Sequence, residues 1–433
     1  MVINMKKNTF KFSFYLLSFS FLAKILSFYS RILLARNLDM QAMSYYSILS
    51  PTIVILISVV QLGIPNALSK LVAEKNYQFN IVSTSIYFTI FTTTVTTLMY
   101  LFLIPFLSAL FFKEKLFSLF YSVLPFLPLI ALSGLLKGYL MGKQHFISAS
   151  FSQIMEEIAR ILFLLFCFFM IPNMTSIQLA RIAILSISVG ELCSTIFLFI
   201  TILITSHITI SKLPYSSQSL KQILNLSLPM SASRFIGSFT YFLEPIFMNL
   251  FIDIISAKKM ILAYGIINGY VLPLITMPSF VTVTLSNFLL PSFTYHYSRN
   301  QHRYAFSLFY KISYISLLFG ILYGVFLFCN SEWICQLFYH TTNGAYYLKI
   351  CSLPFILYSL QPVLSNILHA LSKSKESTMD TLFGCMVRLI LVVFFSSRLK
   401  EMSLILGLVL GMLTTTLFHM VHFLHVIKKR NIL

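Results

Sequence analysis

Twelve runs of mostly apolar residues dominate this sequence, at about 11–34, 43–66, 81–110, 117–140, 147–170, 177–205, 219–252, 260–292, 305–330, 347–371, 377–397 and 402–427. Each is long enough to cross a bilayer, because a crossing helix needs about 20 apolar residues at a rise of about 1.5 Å each. In lipid every backbone polar group must be satisfied within the segment, so runs of this length specify helices. The fold class predicted is therefore an all-α polytopic membrane protein. Composition agrees: 58% of the 433 residues are hydrophobic and only 10% are charged, against about 25% charged in soluble domains.

The loops set orientation. Lys6, Lys7, Lys11, Lys70, Lys75, Lys143, Lys212, Lys221, Arg299, Arg303, Lys373, Lys375, Lys428, Lys429 and Arg430 fall on one side of the twelve-span layout. Only Arg36, Lys113, Lys115, Lys258, Lys259, Lys349, Arg398 and Lys400 fall on the other. The positive-inside bias places the first side, with both termini, in the cytoplasm. Lys6, Lys7 and Lys11 read as the flank of a first membrane helix, since the run that follows is too long for a signal-peptide core.

Several function classes fall away. The net charge of +19 does not point to nucleic acid, because the cations are spread over short loops instead of one exposed face. "GYLMGKQ" (Gly138–Gln144) lacks the spacing and the Ser/Thr of a phosphate-binding loop. The six cysteines show no zinc spacing, and Cys329 with Cys335 is the one pair placed for a disulfide. His419, His422 and His425 repeat every three residues, a spacing that drifts around a helix, so no metal site is expected. No nucleophile or metal set accompanies Glu156 and Glu157, so no catalytic residues and no enzyme are expected.

The fifth span, "FSQIMEEIARILFLLFCFFM" from Phe151 to Met170, carries Gln153, Glu156, Glu157 and Arg160, although an ionised side chain at the bilayer centre costs about 2.5–3.5 kcal/mol on insertion scales. A repeat explains why it is not alone. Leu124-Pro125-Phe126 recurs as Leu353-Pro354-Phe355, and "EEIARILFLLF" aligns with "GCMVRLILVVF", pairing Arg160 with Arg388 at almost the same offset. "AKILSFYS" (Ala23–Ser30) likewise resembles "SRFIGSFT" (Ser233–Thr240), pairing Lys24 with Arg234. Six spans per half insert both halves the same way up, as parallel repeats: an N-lobe at 1–212 and a C-lobe at 213–433.

Lys24, Arg160, Arg234 and Arg388 each lie about 18–22 Å above the cytoplasmic start of their span. Arg31 extends the Lys24 stripe. A water-filled cleft between the halves would remove most of the cost of these cations, and would present a cationic lining. The structural alternative is a self-neutralising Glu156–Arg160 pair at i, i+4. Gln153, Glu156, Glu157, Glu191, Glu244 and Asp380 are expected as modifiers of the cationic lining or as coupling candidates, with pairing to arginine favoured for Glu191 and Glu244.

"RILLARNLDMQAMSYYSILSPTIVILISVVQLGIPNALSKLVAEKN" (Arg31–Asn76) resembles the opening of the stage V sporulation protein B group. "LPFLPLIALSGLLKGYLMGKQHFISASFSQIMEEIARILFLL" (Leu124–Leu165) and "AYGIINGYVLPLITMPSFVTVTLSNFLLPSFTYH" (Ala263–His296) resemble two further segments of it. That group belongs to the multidrug/oligosaccharidyl-lipid/polysaccharide (MOP) exporter superfamily. The resemblance implies two six-helix lobes around a central cavity, alternating access, and transport of a lipid-linked sugar across a bacterial cytoplasmic membrane. Basic residues in spans 1 and 7 are expected to line the cavity, and Lys24, Arg31 and Arg234 lie there. An undecaprenyl-pyrophosphate sugar has a diphosphate that suits such cations. The alternatives are a multidrug or cation antiporter of the same fold, and a non-transporting sporulation or cell-wall assembly factor. No cofactor is expected, coupling to a proton or sodium stays open, and the partners expected are the bilayer and a lipid-linked sugar substrate, with the chain a monomer.

Overall fold

The computed structural model describes residues 2–74, 79–112, 116–171, 173–205, 214–250, 254–277 and 279–429. The loop cations Lys75, Lys113, Lys115, Lys212 and Arg430, and Pro278, lie outside the described residues. The chain divides into two compact units, Met1–Phe242 and Leu243–Leu433, and every element among the described residues is helical.

The first unit holds α1 (Val2–Asn37), α2 (Met40–Gln61), α3 (Ile64–Glu74), α4 (Phe79–Phe112), α5 (Phe117–Tyr121), α6 (Phe126–Gly142), α7 (Phe146–Met170), α8 (Ser176–Thr205) and most of α9 (Ser217–Leu250). The second holds the end of α9, then α10 (Ile254–Ile266), a π-helical turn (Ile267–Val271), α11 (Leu272–Thr276), α12 (Ser279–Ser298), α13 (His302–Cys329) and α14 (Ser331–Tyr339). It continues through α15 (Ala345–Tyr358), α16 (Gln361–Ala370), α17 (Ser374–Leu399) and α18 (Glu401–Lys429).

Within the described residues each of the twelve apolar runs falls on helix, but four of them are broken. The run at 43–66 turns at Leu62 and Gly63, both in left-handed backbone, and continues as α3. The run at 117–140 breaks before α6, whose N-cap is Pro125. The run at 260–292 passes through the π-helical turn just ahead of Pro273, and proline and π-bulges are the usual causes of such kinks. The run at 347–371 restarts at α16, with Pro362 in its first turn, where the missing N–H costs nothing. By contrast α9 runs unbroken through Pro229 and Pro245.

Lipid as solvent explains the outer surface. Phe102 is 90% exposed and Phe169 85%, a display of apolar area that water would not tolerate. Nine helical stretches among the described residues are long and apolar enough to cross a membrane. The helix α7, with three ionisable groups in two turns, is not one of them.

Small residues bring the helices together inside each unit. In α6, Gly134, Gly138 and Gly142 form one ridge, and a Cβ on Gly138 would lie 2.5 Å from the Pro65 carbonyl of α3. Between membrane helices this close packing does the work that hydrophobicity does in water. Two glycines of the phosphate-loop look-alike therefore serve packing. Around the ridge, Leu68, Ile81, Leu136, Tyr139, Leu198 and Ile223 are buried together. The second unit has its own core, with Leu289, Phe293, Phe309, Ile367 and Phe423 among its members. Cys329 and Cys335 are free thiols, and burial pushes the Cys335 thiol, on the short α14, up to about 11.

The contact of α17 with α18 is the tightest of this kind. A Cβ on Gly384 would collide with the Thr415 hydroxyl and stand 2.6 Å from the Gly411 carbonyl. Alanine gains about 1 kcal/mol of helix propensity over glycine, but overpacking costs about 1–3 kcal/mol, so the clash wins. Gly384→Ala is expected to lower the melting temperature of the purified protein. Gly237→Ala, with nothing within 4 Å of the added carbon, should not. Equal melting temperatures for the two variants would contradict this packing.

Candidate functional site

The repeat is visible in the internal geometry of the units. Arg160 is the fifteenth residue of α7 and Arg388 the fifteenth of α17. Each of these helices packs on the next through a glycine. Gly190 of α8 meets the Glu156 backbone carbonyl, and Gly411 of α18 meets that of Gly384, the position aligned with Glu156.

In the first unit the charged residues of α7 point in different directions. Glu157 is buried and accepts a hydrogen bond from the Ser30 hydroxyl of α1 at 3.2 Å. Arg160 donates through Nη2 to the Tyr46 hydroxyl of α2 at 3.1 Å. Its Nε is buried without a hydrogen-bond partner. Glu156 is half-buried beside Gly190, and Gln153 is exposed. Glu191 of α8 is buried, faces Ser133 and feels the charge of Lys137, both on α6. Glu156, Glu157, Glu191, Lys137 and Arg160 thus form one electrostatic cluster, three acids against two bases, tied to α1 and α2 through Ser30 and Tyr46.

Arg160 therefore corrects the expectation drawn from its spacing. It is neither a freely offered cation nor half of a simple i, i+4 pair, since its hydrogen bond goes to Tyr46, 114 residues away. The sequence reading also passed over Lys137, Tyr46 and Ser30. Lys137 carried a usable signal, being an ionisable residue inside an apolar run, three residues before its end. Tyr46 and Ser30 carried none.

In the second unit Arg388 is clamped. Its Nε donates to Oε1 of Glu244 at 2.8 Å and its Nη2 to Oε2 at 2.6 Å. Side-chain exposure is 21% for Arg388 and 2% for Glu244. This is a bidentate ion pair with its acid inside the protein, the geometry that uses the guanidinium fork fully. Arg388 is already neutralised within its unit, which corrects its expected place in a cationic lining. Asp380, expected as a modifier of Arg388, instead holds His419 and His422 of α18.

Three cations remain. Lys24 and Arg31 of α1 and Arg234 of α9 are exposed, all in the first unit. None of the three makes a hydrogen bond or an ion pair among the described residues. Such groups are costly against hydrocarbon, so they need water or an anion. Buried Ser238, one turn beyond Arg234, shares a hydroxyl–hydroxyl hydrogen bond of 2.8 Å with Ser58 of α2 and returns another to the Arg234 carbonyl at 2.8 Å. That pins the segment of α9 from which Arg234 projects.

Comparison with known proteins fits this picture. A family model described as polysaccharide biosynthesis protein matches residues 10–296. Stage V sporulation protein B of Bacillus subtilis (strain 168) is 29% identical over 434 residues, with 96% of this chain and 83% of that protein covered. Sporulation protein YkvU of the same strain is 23% identical, covering 92% and 91%. Among solved structures, lipid II flippase MurJ in an inward closed conformation matches with a TM-score of 0.71 at 16% identity, covering 94% of this chain and 87% of that one. An inward-facing multidrug resistance MATE family transporter of the MOP superfamily matches with a TM-score of 0.70 at 15% identity, covering 97% and 98%. At these identities the structures establish the fold.

Proposed function

The chain belongs to the polysaccharide biosynthesis protein family, and from that premise we propose that it is a flippase for an anionic lipid-linked oligosaccharide of the undecaprenyl-pyrophosphate type. It would work by alternating access as a monomer in a bacterial cytoplasmic membrane, with both termini in the cytoplasm. The observation that carries this reading is the set of exposed cations Lys24, Arg31 and Arg234, which have no acid partner among the described residues. A diphosphate supplies the missing charge and accepts several charge-assisted hydrogen bonds. Its isoprenoid tail can stay in lipid while the head crosses.

The test is a reconstituted flipping assay with undecaprenyl-pyrophosphate sugars beside an uncharged glycolipid of similar tail. The expected result is translocation of the diphosphate substrates alone. Equal movement of both, or of neither, would overturn the assignment.

One observation favours a second reading. The cluster of Glu156, Glu157 and Glu191 carries more acid than base, as cation exchange would require, and the fold is shared with a multidrug transporter. Efflux of a cationic dye from vesicles, lost in Glu191→Gln, would put antiport ahead of flipping. In the flippase reading the same cluster is where a coupling proton or sodium ion would bind.

A further inference from the structure

One face of α13 is covered by no other part of the chain. The opposite, buried face, with Ala305, Phe309, Ile312 and Gly320 among its members, packs on α12, α15 and α16. The exposed face changes in character along its length. From Ile315 onward it is apolar, with Leu318, Leu322 and Phe326 exposed in turn, a surface suited to lipid and not to water. Before Ile315 it carries Arg303, Ser307, Tyr310, Lys311 and Tyr314, all exposed. These follow at i, i+4, i+7, i+8 and i+11, so they form one stripe, continuous with the apolar one.

Depth accounts for the change. The 28 residues of α13 span about 42 Å at 1.5 Å each, against about 30 Å for the hydrocarbon core and about 40–45 Å with the headgroups. The first turns of α13 therefore lie among headgroups, on the side where the loop charges place the cytoplasm. Lys311 is inside the ninth apolar run, deeper than a loop cation. Helical side chains lean toward the N-terminus of their helix, and here that is the headgroup end. The stem of Lys311 can thus run up the stripe and bring its ammonium to phosphate height. Tyr310 and Tyr314, 47% and 67% exposed, lean the same way, with the ring in the chains and the hydroxyl toward the headgroups.

Neither cation is spent inside the protein. Arg303 and Lys311 make no hydrogen bond, ion pair or ring contact among the described residues, whereas Arg299, in the same hairpin, lies 4.2 Å over the Tyr295 ring. Nor is the stripe a general property of such a span. α4, the third span of the first half as α13 is the third of the second, has no charged residue among its 34.

We propose that Arg303, Ser307, Lys311 and Tyr314 bind the phosphate headgroup of an anionic phospholipid whose acyl chains lie along Ile315, Leu318 and Leu322. The cations supply the charge that an anionic leaflet answers, and the two hydroxyls supply hydrogen bonds. The ten residues beyond Lys311 cover about 15 Å, half of the hydrocarbon core, which is the reach of one leaflet's chains. The site lies within the second unit, goes beyond the flippase reading and does not depend on any transported substrate.

The test uses the full-length chain in nanodiscs of phosphatidylglycerol and phosphatidylcholine with the same acyl chains, and native mass spectrometry counts the lipids that stay on the protein. The wild type should retain phosphatidylglycerol over phosphatidylcholine by about twentyfold or more, at about fivefold for each cation. Arg303→Gln/Lys311→Gln should lose most of that preference. Lys311→Gln alone should lower it about fivefold, and keeps the question answerable if the double variant does not fold. Arg303→Lys/Lys311→Arg retains both charges and should retain the preference. Lys375→Gln removes an exposed cation from the same side of the same unit and should leave it unchanged. Soluble glycerol phosphate should not displace the lipid, because it has no chains for the apolar stripe. Equal retention of the two lipids by the wild type, an unchanged preference in Lys311→Gln, an equal loss in Lys375→Gln, or displacement by glycerol phosphate would overturn the proposal. A failed flipping assay would leave these readouts untouched.

Discussion

Arg388→Ala should destabilise the second unit by about 3–5 kcal/mol, the cost of leaving a buried charge without its partner. Glu244 is almost completely buried and takes both hydrogen bonds of the Arg388 fork, so the variant strands a carboxylate inside the protein. Glu244→Gln should cost less, because the arginine left behind is one-fifth exposed and can reach water. The double variant Glu244→Gln/Arg388→Gln removes both charges and should recover most of the loss, since the net value of a buried pair against neutral residues is near zero. Arg388→Lys should not rescue, because an ammonium cannot span two oxygens in parallel. Thermal melts of the four purified variants measure all of this. A wild-type melting temperature in Arg388→Ala would show that the pair carries no structural charge balance. Flipping by the double variant separates a structural arginine from a substrate-binding one: retained activity assigns Arg388 to the clamp alone.

The second large effect is expected at the exposed cations. Lys24→Ala and Arg234→Ala should each lower flipping of a diphosphate-linked sugar by about tenfold or more, the usual consequence of losing one hydrogen bond between charged groups. The double variant should be inactive at substrate concentrations that saturate the wild type. Both single variants should melt with the wild type, because Lys24 and Arg234 are exposed and make no hydrogen bond or ion pair among the described residues. Arg234→Lys should keep part of the activity, since the charge remains and only the planar fork is lost. The gap between each variant and the wild type should narrow with salt, because screening weakens in the wild type the attraction that the variant has already lost. Full activity in the Lys24→Ala/Arg234→Ala protein would remove the cationic-surface assignment, whereas a fall in melting temperature would place these residues in the packing.

The two predictions separate residues that sequence alone had grouped. Lys24, Arg160, Arg234 and Arg388 look equivalent along the chain, four cations at similar depth in related spans. The difference lies in their surroundings. Tyr46 is 114 residues from Arg160 and Glu244 is 144 residues from Arg388, distances over which no helical periodicity carries information. The same holds for Asp380, whose nearest cation along its own helix face is Arg388 but whose partners in space are His419 and His422 of the next helix. The drifting spacing of three histidines argued against a metal site but said nothing about an acid set between two of them.

What the sequence determines by itself is therefore the solvent, the class and the repeat. Apolar runs of bilayer length leave helices as the way to satisfy the backbone in lipid, and that constraint is local to each run. The alignment of Arg160 with Arg388 is local in the same sense, and both take the same place in their helices. What only the tertiary structure decided is which of the charged groups are spent and which are free. A buried charge is tolerated only when another helix brings it a partner, so the fate of each depends on which helices pack, and through which glycines they approach. That packing clamps Arg388, ties Arg160 to Tyr46, gathers Asp380 with two histidines, and leaves Lys24, Arg31 and Arg234 exposed, with no hydrogen bond or ion pair among the described residues.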